Sequence, residues 1–237
     1  MTAVEFFRGA SASTYHAREL PSDPRPHVWV FDPACPALVL GSTQSESLVD
    51  ESAARSRGIE VVRRRSGGGM VLLMPGEMIW IDVLVPRRHH LWRVDIGTAP
   101  VWLGESLAGT LTRSGRCGEG IHVHTGAMQT SQWSGLVCFA GRGPGEVFAA
   151  DGSKIVGISQ RRTSDWVRFQ CIVSLRWNPE TLVALLAPPR PEVLDIATFG
   201  ASISAGGSVD DERLREDLVG ELVTVLDVTG EPMLRPR

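Results

Sequence analysis

The stretch Arg63-Arg64-Arg65-Ser66-Gly67-Gly68-Gly69 places three arginines and three glycines between two apolar segments. Glycines let a backbone approach a ligand closely and expose successive N–H groups to an anion, and arginines hold phosphate or carboxylate. No Gly-Lys-Ser/Thr follows, so the stretch is not a P-loop. A strand-like segment rather than a helix follows it, which excludes the dinucleotide fingerprint. A solvated glycine-rich hairpin is the simpler alternative, but the density of Arg and Gly favours a ligand-binding loop.

The chain's one lysine lies in a second such stretch, Asp151-Gly152-Ser153-Lys154-Ile155-Val156-Gly157-Ile158-Ser159-Gln160-Arg161-Arg162. Of 24 basic residues only Lys154 is lysine, a pattern typical of a GC-rich coding bias from Lys to Arg. The surviving lysine is expected where a compact ammonium serves and a wide guanidinium fork does not. The alternative is that Lys154 has no special role and that its codon escaped this bias by chance, at a solvated position of a strand. Asp151-Gly152 predicts a tight turn with Lys154 at the mouth of a strand, and Gly157 allows close approach.

A third feature, Cys138-Phe139, ends a predicted strand over 135–139 and precedes a glycine-rich loop at 141–145. A cysteine after Leu136-Val137 is by default an inert core thiol. A thiol near lysine and arginine, whose charges favour the thiolate, is alternatively a nucleophile. The residue pattern alone leaves both interpretations open.

The bulk composition excludes several classes. The 237 residues suffice for one large domain or two small ones, and the net charge of −3 argues against broad nucleic-acid binding. No apolar run approaches the roughly 20 residues of a membrane span, and no secretory signal is visible. Four cysteines without a C-x-x-C motif indicate free thiols in a reducing cytoplasm. His89-His90 lack further ligands at suggestive spacing, so we predict surface residues and no metal site.

Periodicity predicts an α+β fold with a mixed, largely antiparallel sheet flanked by helices. A short helix is possible at 11–20, and nothing else is assigned before residue 27. Longer helices are predicted over 46–57, 98–114, 180–186 and 208–226. The predicted strands cover 27–31, 37–41, 59–64, 70–74, 78–85, 121–124, 135–139, 146–149, 154–160 and 167–175. A Pro-rich stretch at 187–191 marks a weak boundary. We therefore predict a domain over 1–190 and a helical extension over 191–237 that packs on it.

Together these stretches resemble the biotin/lipoate A/B protein ligase superfamily. Residues 63–69 look like its R-R-x-S-G-G-G signature, and Gly41-Ser42-Thr43-Gln44 is similar to its G-x-x-Q segment. Residues 152–161 resemble its G-x-K-[IV]-x-G-[ST]-[AS]-x-R segment, in which the lysine is catalytic. Order and spacing agree over residues 28–190, most of the chain.

The resemblance implies a catalytic domain related to class II synthetases, without the full accessory domain of long bacterial ligases. It also implies transfer of an octanoyl or lipoyl group to a lysine of a lipoyl-domain protein. The acceptors would be lipoyl domains of 2-oxoacid dehydrogenases or the glycine cleavage H protein. Lipoate–protein ligases of this kind use ATP and Mg²⁺ to form lipoyl-adenylate. Octanoyltransferases need no cofactor and take octanoate from acyl carrier protein through a cysteine thioester.

The site residues that the resemblance implies are Lys154 as catalytic oxyanion donor and, in the transferase version only, Cys138 as nucleophile. Cys138-Phe139 resembles the C-F segment of cysteine-dependent octanoyltransferases, and the R-N-D segment of ligases is absent, which favours the transferase. The substrate-binding candidates are Gln44, Arg63, Arg64, Ser66, Gly67, Gly68, Gly69, Gly157 and Ser159.

The chain departs from the family pattern at two places. Leu72-Leu73 stand where a histidine often follows the glycine loop, and Gln170-Cys171-Ile172 stand where Q-H-G or H-H-G is usual. Cys171, near the missing histidine, is the reserve nucleophile. The missing histidines favour a second alternative, a degenerate paralogue that binds acyl or lipoyl partners without catalysis. The retained Lys154 argues against that alternative.

Overall fold

The structure, a computed structural model, describes residues 1–203 and 208–228. Within these residues it contains a seven-stranded sheet, a three-stranded sheet and six α-helices. The helices are α1 (Ala12–Ala17), α2 (Glu51–Ser56), α3 (Val101–Ser114), α4 (Pro179–Ala184), α5 (Val193–Ile196) and α6 (Ser208–Asp227). Two 3₁₀ helices cover Glu46–Leu48 and Cys138–Ala140.

The large sheet has the order β1-β2-β6-β10-β9-β8-β7, in which β1 and β2 are parallel and all other neighbours are antiparallel. Its strands are β1 (Ala3–Arg8), β2 (His27–Asp32), β6 (Met78–Pro86), β7 (His122–Val123), β8 (Val147–Phe148), β9 (Lys154–Arg162) and β10 (Trp166–Ser174). The small sheet, with the order β4-β3-β5, contains β3 (Ala37–Leu40), β4 (Glu60–Arg63) and β5 (Val71–Leu73). The predicted α+β class with a mixed, largely antiparallel sheet is confirmed.

Strand β6 is buried along its whole length because both faces of the large sheet are covered. Ile79 and Ile81 point into the core that α3 and α6 close. Met78 and Trp80 point to the opposite core, shared with the small sheet and α1. Successive strand residues face opposite sides, so a strand between two layers is apolar at nearly every position.

The glycine stretch joins β4 to β5 and closes the small sheet against the large one. Ser42 N donates to Ser66 O at 2.9 Å, and a Cβ on Gly41 would lie 1.9 Å from Gly68 O. Gly68 has φ +96°, a left-handed conformation that strains residues with a Cβ. Two glycines are therefore required for this loop to reach its position.

Two of the predicted elements are wrong. The predicted helix over 46–57 is split into two. The Ser45 side chain accepts from Ser47 N and caps the 3₁₀ helix, and the Asp50 side chain accepts from Ala53 N at 2.8 Å and caps α2. Two capping side chains in one segment start two helices. The strand over 135–139 does not form, since Val137 N bonds back to Trp133 O at 2.8 Å and Cys138 begins a 3₁₀ helix.

Two elements escaped the sequence analysis. Strand β1 lies at the sheet edge with alternating half-buried and exposed residues, and its six residues are too short and too mixed in polarity to stand out. The four-residue helix α5 follows the Pro-rich stretch at 187–191.

No helix in residues 1–203 and 208–228 is long and apolar enough to cross a membrane.

The C-terminal part lies against the body of the large sheet. Helix α6 packs on α3, and Arg116 pairs with Asp211 at 2.6 Å. Lys154 N donates to Phe199 O at 2.8 Å, and Ala201 N donates to Lys154 O at 2.9 Å. The predicted division into a domain over 1–190 and an extension over 191–237 therefore stays a prediction. Residues 204–207 and 229–237 of the predicted extension lie outside the described residues.

His89 and His90, which we predicted as surface residues, are half-buried. A ring nitrogen of His89, Nε2, lies 3.0 Å from Leu226 O near the end of α6. The two rings are in contact at an angle of 41°, with centroids 4.4 Å apart. Among the described residues no group of three or more His, Cys, Asp or Glu is placed to hold a metal ion.

Candidate active site

A cavity of about 790 Å³ opens where the glycine loop faces β9. Its walls include the segments 67–69, 95–98 and 125–128. Lys154 and Cys138, 16 positions apart in sequence, both line it. Its charged lining residues are two cations, Arg64 and Lys154, and two acids, Asp95 and Glu146. The cavity thus joins both stretches that the sequence singled out.

Lys154 is fully buried at the start of β9. Its Nζ lies 2.7 Å from Glu146 Oε2 and donates to Cys138 O at 2.9 Å. The ring of Phe139 lies 5.4 Å from Nζ. A buried ammonium needs such pairing, because an unpaired charge in the interior is costly. An ammonium has three N–H donors, so two engaged donors leave one for a ligand in the cavity.

Glu146 escaped the sequence analysis. Its side chain is 5% exposed, and besides Lys154 it accepts from Gly143 N at 2.6 Å and Ile158 N at 3.4 Å. These bonds orient the carboxylate toward Nζ. An acid within a glycine-rich turn, a few residues before a candidate buried lysine, is the signal that could have identified it.

The buried side chain of Arg64 holds the glycine loop in place through hydrogen bonds to its carbonyl groups. Arg64 is 4% exposed, and its Nη2 donates to Gly67 O and Gly69 O, both at 2.8 Å. Gly69 packs so closely on the chain before Cys138 that a Cβ would lie 2.6 Å from Val137 C. The loop therefore holds Cys138 next to Lys154 through backbone contact.

A family model for the lipoyl protein ligase A/B catalytic domain matches residues 10–200. The chain belongs to this family. No curated protein matches it.

Solved structures of lipoate ligases share the fold. A bi-partite lipoate protein ligase from Thermoplasma acidophilum, studied with its E2 lipoyl domain, is 15% identical with a TM-score of 0.69, covering 98% of this chain and 86% of that chain. Protein Ta0514 of the same organism, with bound lipoic acid, is 15% identical with a TM-score of 0.63, covering 95% and 86%. A lipoate-protein ligase A bound with ATP is 16% identical with a TM-score of 0.63, covering 95% and 84%. These likenesses confirm the class II synthetase-like fold.

In this lipoyl ligase family member, two predicted binding residues lie outside the cavity. Arg63 is exposed, donates to Gly41 O at 3.3 Å and to Gln44 O, and pairs with Glu46. Gln44 accepts from Gly41 N at 2.9 Å and donates to Gly135 O at 2.9 Å. The structure does not place Arg63 against the pocket, contrary to the prediction. Both residues brace the loops that form the cavity wall.

The remaining predicted binding residues gather around Cys138. Gly67, Gly68, Gly69 and Ser159 line the main cavity. Ser66 is buried, with its Oγ 3.0 Å from Ser159 Oγ and 3.0 Å from Gln170 Oε1. Ser159 and Gly157 also line a second, narrow cavity of about 30 Å³ on the other side of Cys138. A Cβ on Gly157 would lie 3.3 Å from the Phe139 ring.

The narrow cavity, formed by apolar residues of β5, β6 and β10, also contacts His16, which the sequence analysis missed. Burial, then the charges of Arg168 and Arg64, lower the pKa of His16 to about 3. Cys171 is fully buried on β10 and points into the core with α3 and α6. Burial, and then Asp82, raise the pKa of its thiol well above the ordinary value, so Cys171 is not a reserve nucleophile.

We expect Gly69→Ala to lower the free energy of unfolding by about 1–3 kcal/mol and acyl transfer by at least about tenfold. The added Cβ would lie 2.7 Å from Cys138 N and must displace that residue from Lys154. The matched control is Gly67→Ala, whose Cβ meets nothing within 4 Å. Urea denaturation and a transfer assay on both variants check the expectation, and equal effects at the two positions would contradict it.

A second expectation concerns acid stability. The folded pKa of His16 is about 3 and the unfolded value about 6.5, so the unfolded chain gains the proton first as the pH falls. Stability from this group is therefore lost as pH decreases from about 6.5 toward 3, by about 2 kcal/mol between pH 7.5 and pH 5. Urea denaturation at both pH values should show a correspondingly smaller loss for His16→Asn. An identical pH dependence in both proteins would refute the burial of a neutral ring.

Proposed function

We propose that this protein transfers an octanoyl or lipoyl group to a lysine of a lipoyl-domain protein, through a thioester on Cys138. Membership of the lipoyl protein ligase A/B family supports lipoyl attachment in general. The observation that carries the cysteine route is the position of Cys138. It lies between the main and the narrow cavity, and its own carbonyl binds Lys154 Nζ at 2.9 Å.

The first half-reaction moves the acyl group to the protein. The Cys138 sulfur attacks the carbonyl carbon of octanoyl carrier protein, and the oxyanion of the tetrahedral intermediate accepts the free N–H of Lys154. The bond to the carrier sulfur then breaks, and the carrier thiol leaves with the proton that Cys138 gave up. The acyl chain remains as a thioester with its carbonyl near Lys154.

In the second half-reaction the ε-amine of the acceptor lysine attacks the thioester carbon. The same Lys154 donor stabilises the second oxyanion, the C–S bond breaks, and Cys138 leaves as a thiolate that recovers the amine's proton. Glu146 keeps the Lys154 side chain oriented through both steps, since its Oε2 lies 2.7 Å from Nζ. No cofactor is consumed, and the partners are an acyl carrier protein and a lipoyl domain or the glycine cleavage H protein.

An ATP-dependent lipoate–protein ligase is the second candidate. The main cavity, at about 790 Å³, has room for a nucleotide as well as an acyl chain, and one solved structure of this fold is bound with ATP. The residues present fit ATP and Mg²⁺ poorly. Both lining cations already bind protein groups, Lys154 a carboxylate and Arg64 two loop carbonyls, so few of their donors remain for phosphate oxygens, and no acidic cluster among the described residues is placed for a metal.

One assay separates the candidates. The purified protein is mixed with an apo lipoyl domain and given either octanoyl carrier protein alone or lipoate with ATP and Mg²⁺, and the intact mass of the domain is recorded. The transferase predicts octanoylation without ATP. Modification only with ATP, accompanied by lipoate-dependent ATP/pyrophosphate exchange, supports the ligase and overturns the proposal. No modification under either condition supports a paralogue that binds without catalysis.

A further inference from the structure

His16 is held rigidly against the large sheet. It lies in α1, is 8% exposed, and its ring centroid is 4.7 Å from that of Trp80. Arg168, anchored by Asp82 at 2.6 Å, donates to Tyr15 O at 3.1 Å and Arg18 O at 3.2 Å. These bonds fix the helix on both sides of His16.

The neighbours of His16 determine which ring nitrogen carries the proton. Ser66 Oγ donates to Gln170 Oε1 at 3.0 Å, so the Gln170 amide presents its NH₂ group to His16 Nδ1, at 3.2 Å. An amide nitrogen only donates, so Nδ1 accepts and the proton of the neutral ring lies on Nε2. Burial first, and then the positive charges of Arg168 and Arg64, lower the pKa of His16 and keep the ring neutral.

The Nε2–H group has no partner among the described residues, although it is buried. The ring lines the narrow cavity, whose other walls include Val71, Leu73 and Ile172. Arg64, which lines the same cavity, also has a buried Nε–H without a partner. A buried donor without a partner is unfavourable, so both groups favour an acceptor inside the cavity.

We propose that His16 determines acyl specificity, by donating from Nε2 to an oxygen or sulfur atom within the chain of the bound acyl group. This inference rests on the proposed function, in which the acyl chain is attached at Cys138, and adds that part of the chain enters the narrow cavity. The two cavities share Arg64, Cys138, Ile158 and Ser159, so a chain attached at Cys138 reaches the second cavity directly. A plain hydrocarbon segment in this space leaves the donor unpaired, whereas a segment with an acceptor atom satisfies it.

A buried water is the competing partner. About 30 Å³ has room for one or two waters. A water held there would pair the donor whatever chain is bound, so His16 would then not discriminate among chains. The affinities of otherwise identical chains with and without an acceptor atom distinguish a ligand acceptor from a bound water.

The probes are octanoic acid and a series of oxa analogues in which an ether oxygen replaces one methylene at successive positions. Isothermal titration calorimetry on the full chain should find one oxa acid that binds several-fold tighter than octanoic acid, up to about tenfold. Weaker binding of every oxa acid, or no binding of any acid, would overturn the inference.

Two variants assign the preference to Nε2. His16→Asn keeps an acceptor for Gln170 near the position of Nδ1 but has no group at Nε2, so the preference should vanish. His16→Gln places an amide donor near the position of Nε2 and should retain it. If both variants keep the preference of the wild type, His16 does not cause it. The wild-type series tests the inference even if a variant does not fold.

The two proposals fail separately. If octanoyl carrier protein does not acylate Cys138 while the oxa preference and its loss in His16→Asn are observed, the transferase proposal fails and the specificity inference stands. If Cys138 is acylated and no oxa acid is preferred, only the specificity inference fails.

Discussion

Lys154→Arg should reduce acyl transfer by at least about 10²-fold, the cost of losing one preorganised oxyanion donor. The lysine is fully buried, with its ammonium between Glu146 and Cys138 O and the rings of Phe139 and Phe148 5.4 and 5.8 Å from Nζ. A guanidinium is wider, and its planar fork cannot direct donors at the carboxylate, the carbonyl and a substrate oxygen at once. The measurement is the initial rate of lipoyl-domain modification, beside thermal unfolding of both proteins.

A matched pair of controls separates chemistry from folding. Lys154→Met alone leaves the Glu146 carboxylate buried and unpaired, at a cost of about 3–5 kcal/mol in the free energy of unfolding. Combining it with Glu146→Gln should restore much of that stability without restoring transfer. Near-normal transfer by a well-folded Lys154→Arg protein would exclude the proposed role.

Cys138→Ser should abolish both acyl transfer and the enzyme-bound intermediate. After incubation with octanoyl carrier protein, the wild type should carry one octanoyl mass at Cys138, removable by hydroxylamine. A serine hydroxyl at this position has no adjacent base to activate it and is a far weaker nucleophile than a thiol. Intact-protein mass spectrometry before and after hydroxylamine measures the adduct.

Cys171→Ala is the matched control, because Cys171 is buried in the opposite core and its raised pKa keeps it a thiol. This variant should retain the adduct and transfer. Full lipoylation with ATP by Cys138→Ala would disprove the thioester route and favour the adenylate-forming ligase.

The sequence was sufficient for features that are local. Gly67, Gly68 and Gly69 predicted a loop that lines a cavity because backbone freedom belongs to the residue itself, and Lys154 stood out because no other lysine competes with it. Strands β6, β9 and β10 were predictable from their apolar runs. The 135–139 segment misled because its apolar residues carry a strand pattern while its hydrogen bonds turn back to Trp133.

Pairings between distant segments required the tertiary structure. His16 and Cys138 are 122 positions apart, and only the docking of α1 through Arg168 brings both to one cavity. The sequence signals Glu146 only as an acid in a glycine-rich turn, and its pairing with Lys154 at 2.7 Å became visible only once β8 and β9 were placed side by side.

The sequence by itself determined the family, the two motifs and the identity of Lys154, because these depend on residue types at fixed spacing. Only the tertiary structure decided that Arg64 faces the cavity and Arg63 faces away from it. Successive residues at a strand end point to opposite faces, so one of two adjacent arginines had to miss the site. Which one did so depends on the face that the small sheet presents to the large one, a long-range packing that neighbouring residues do not encode.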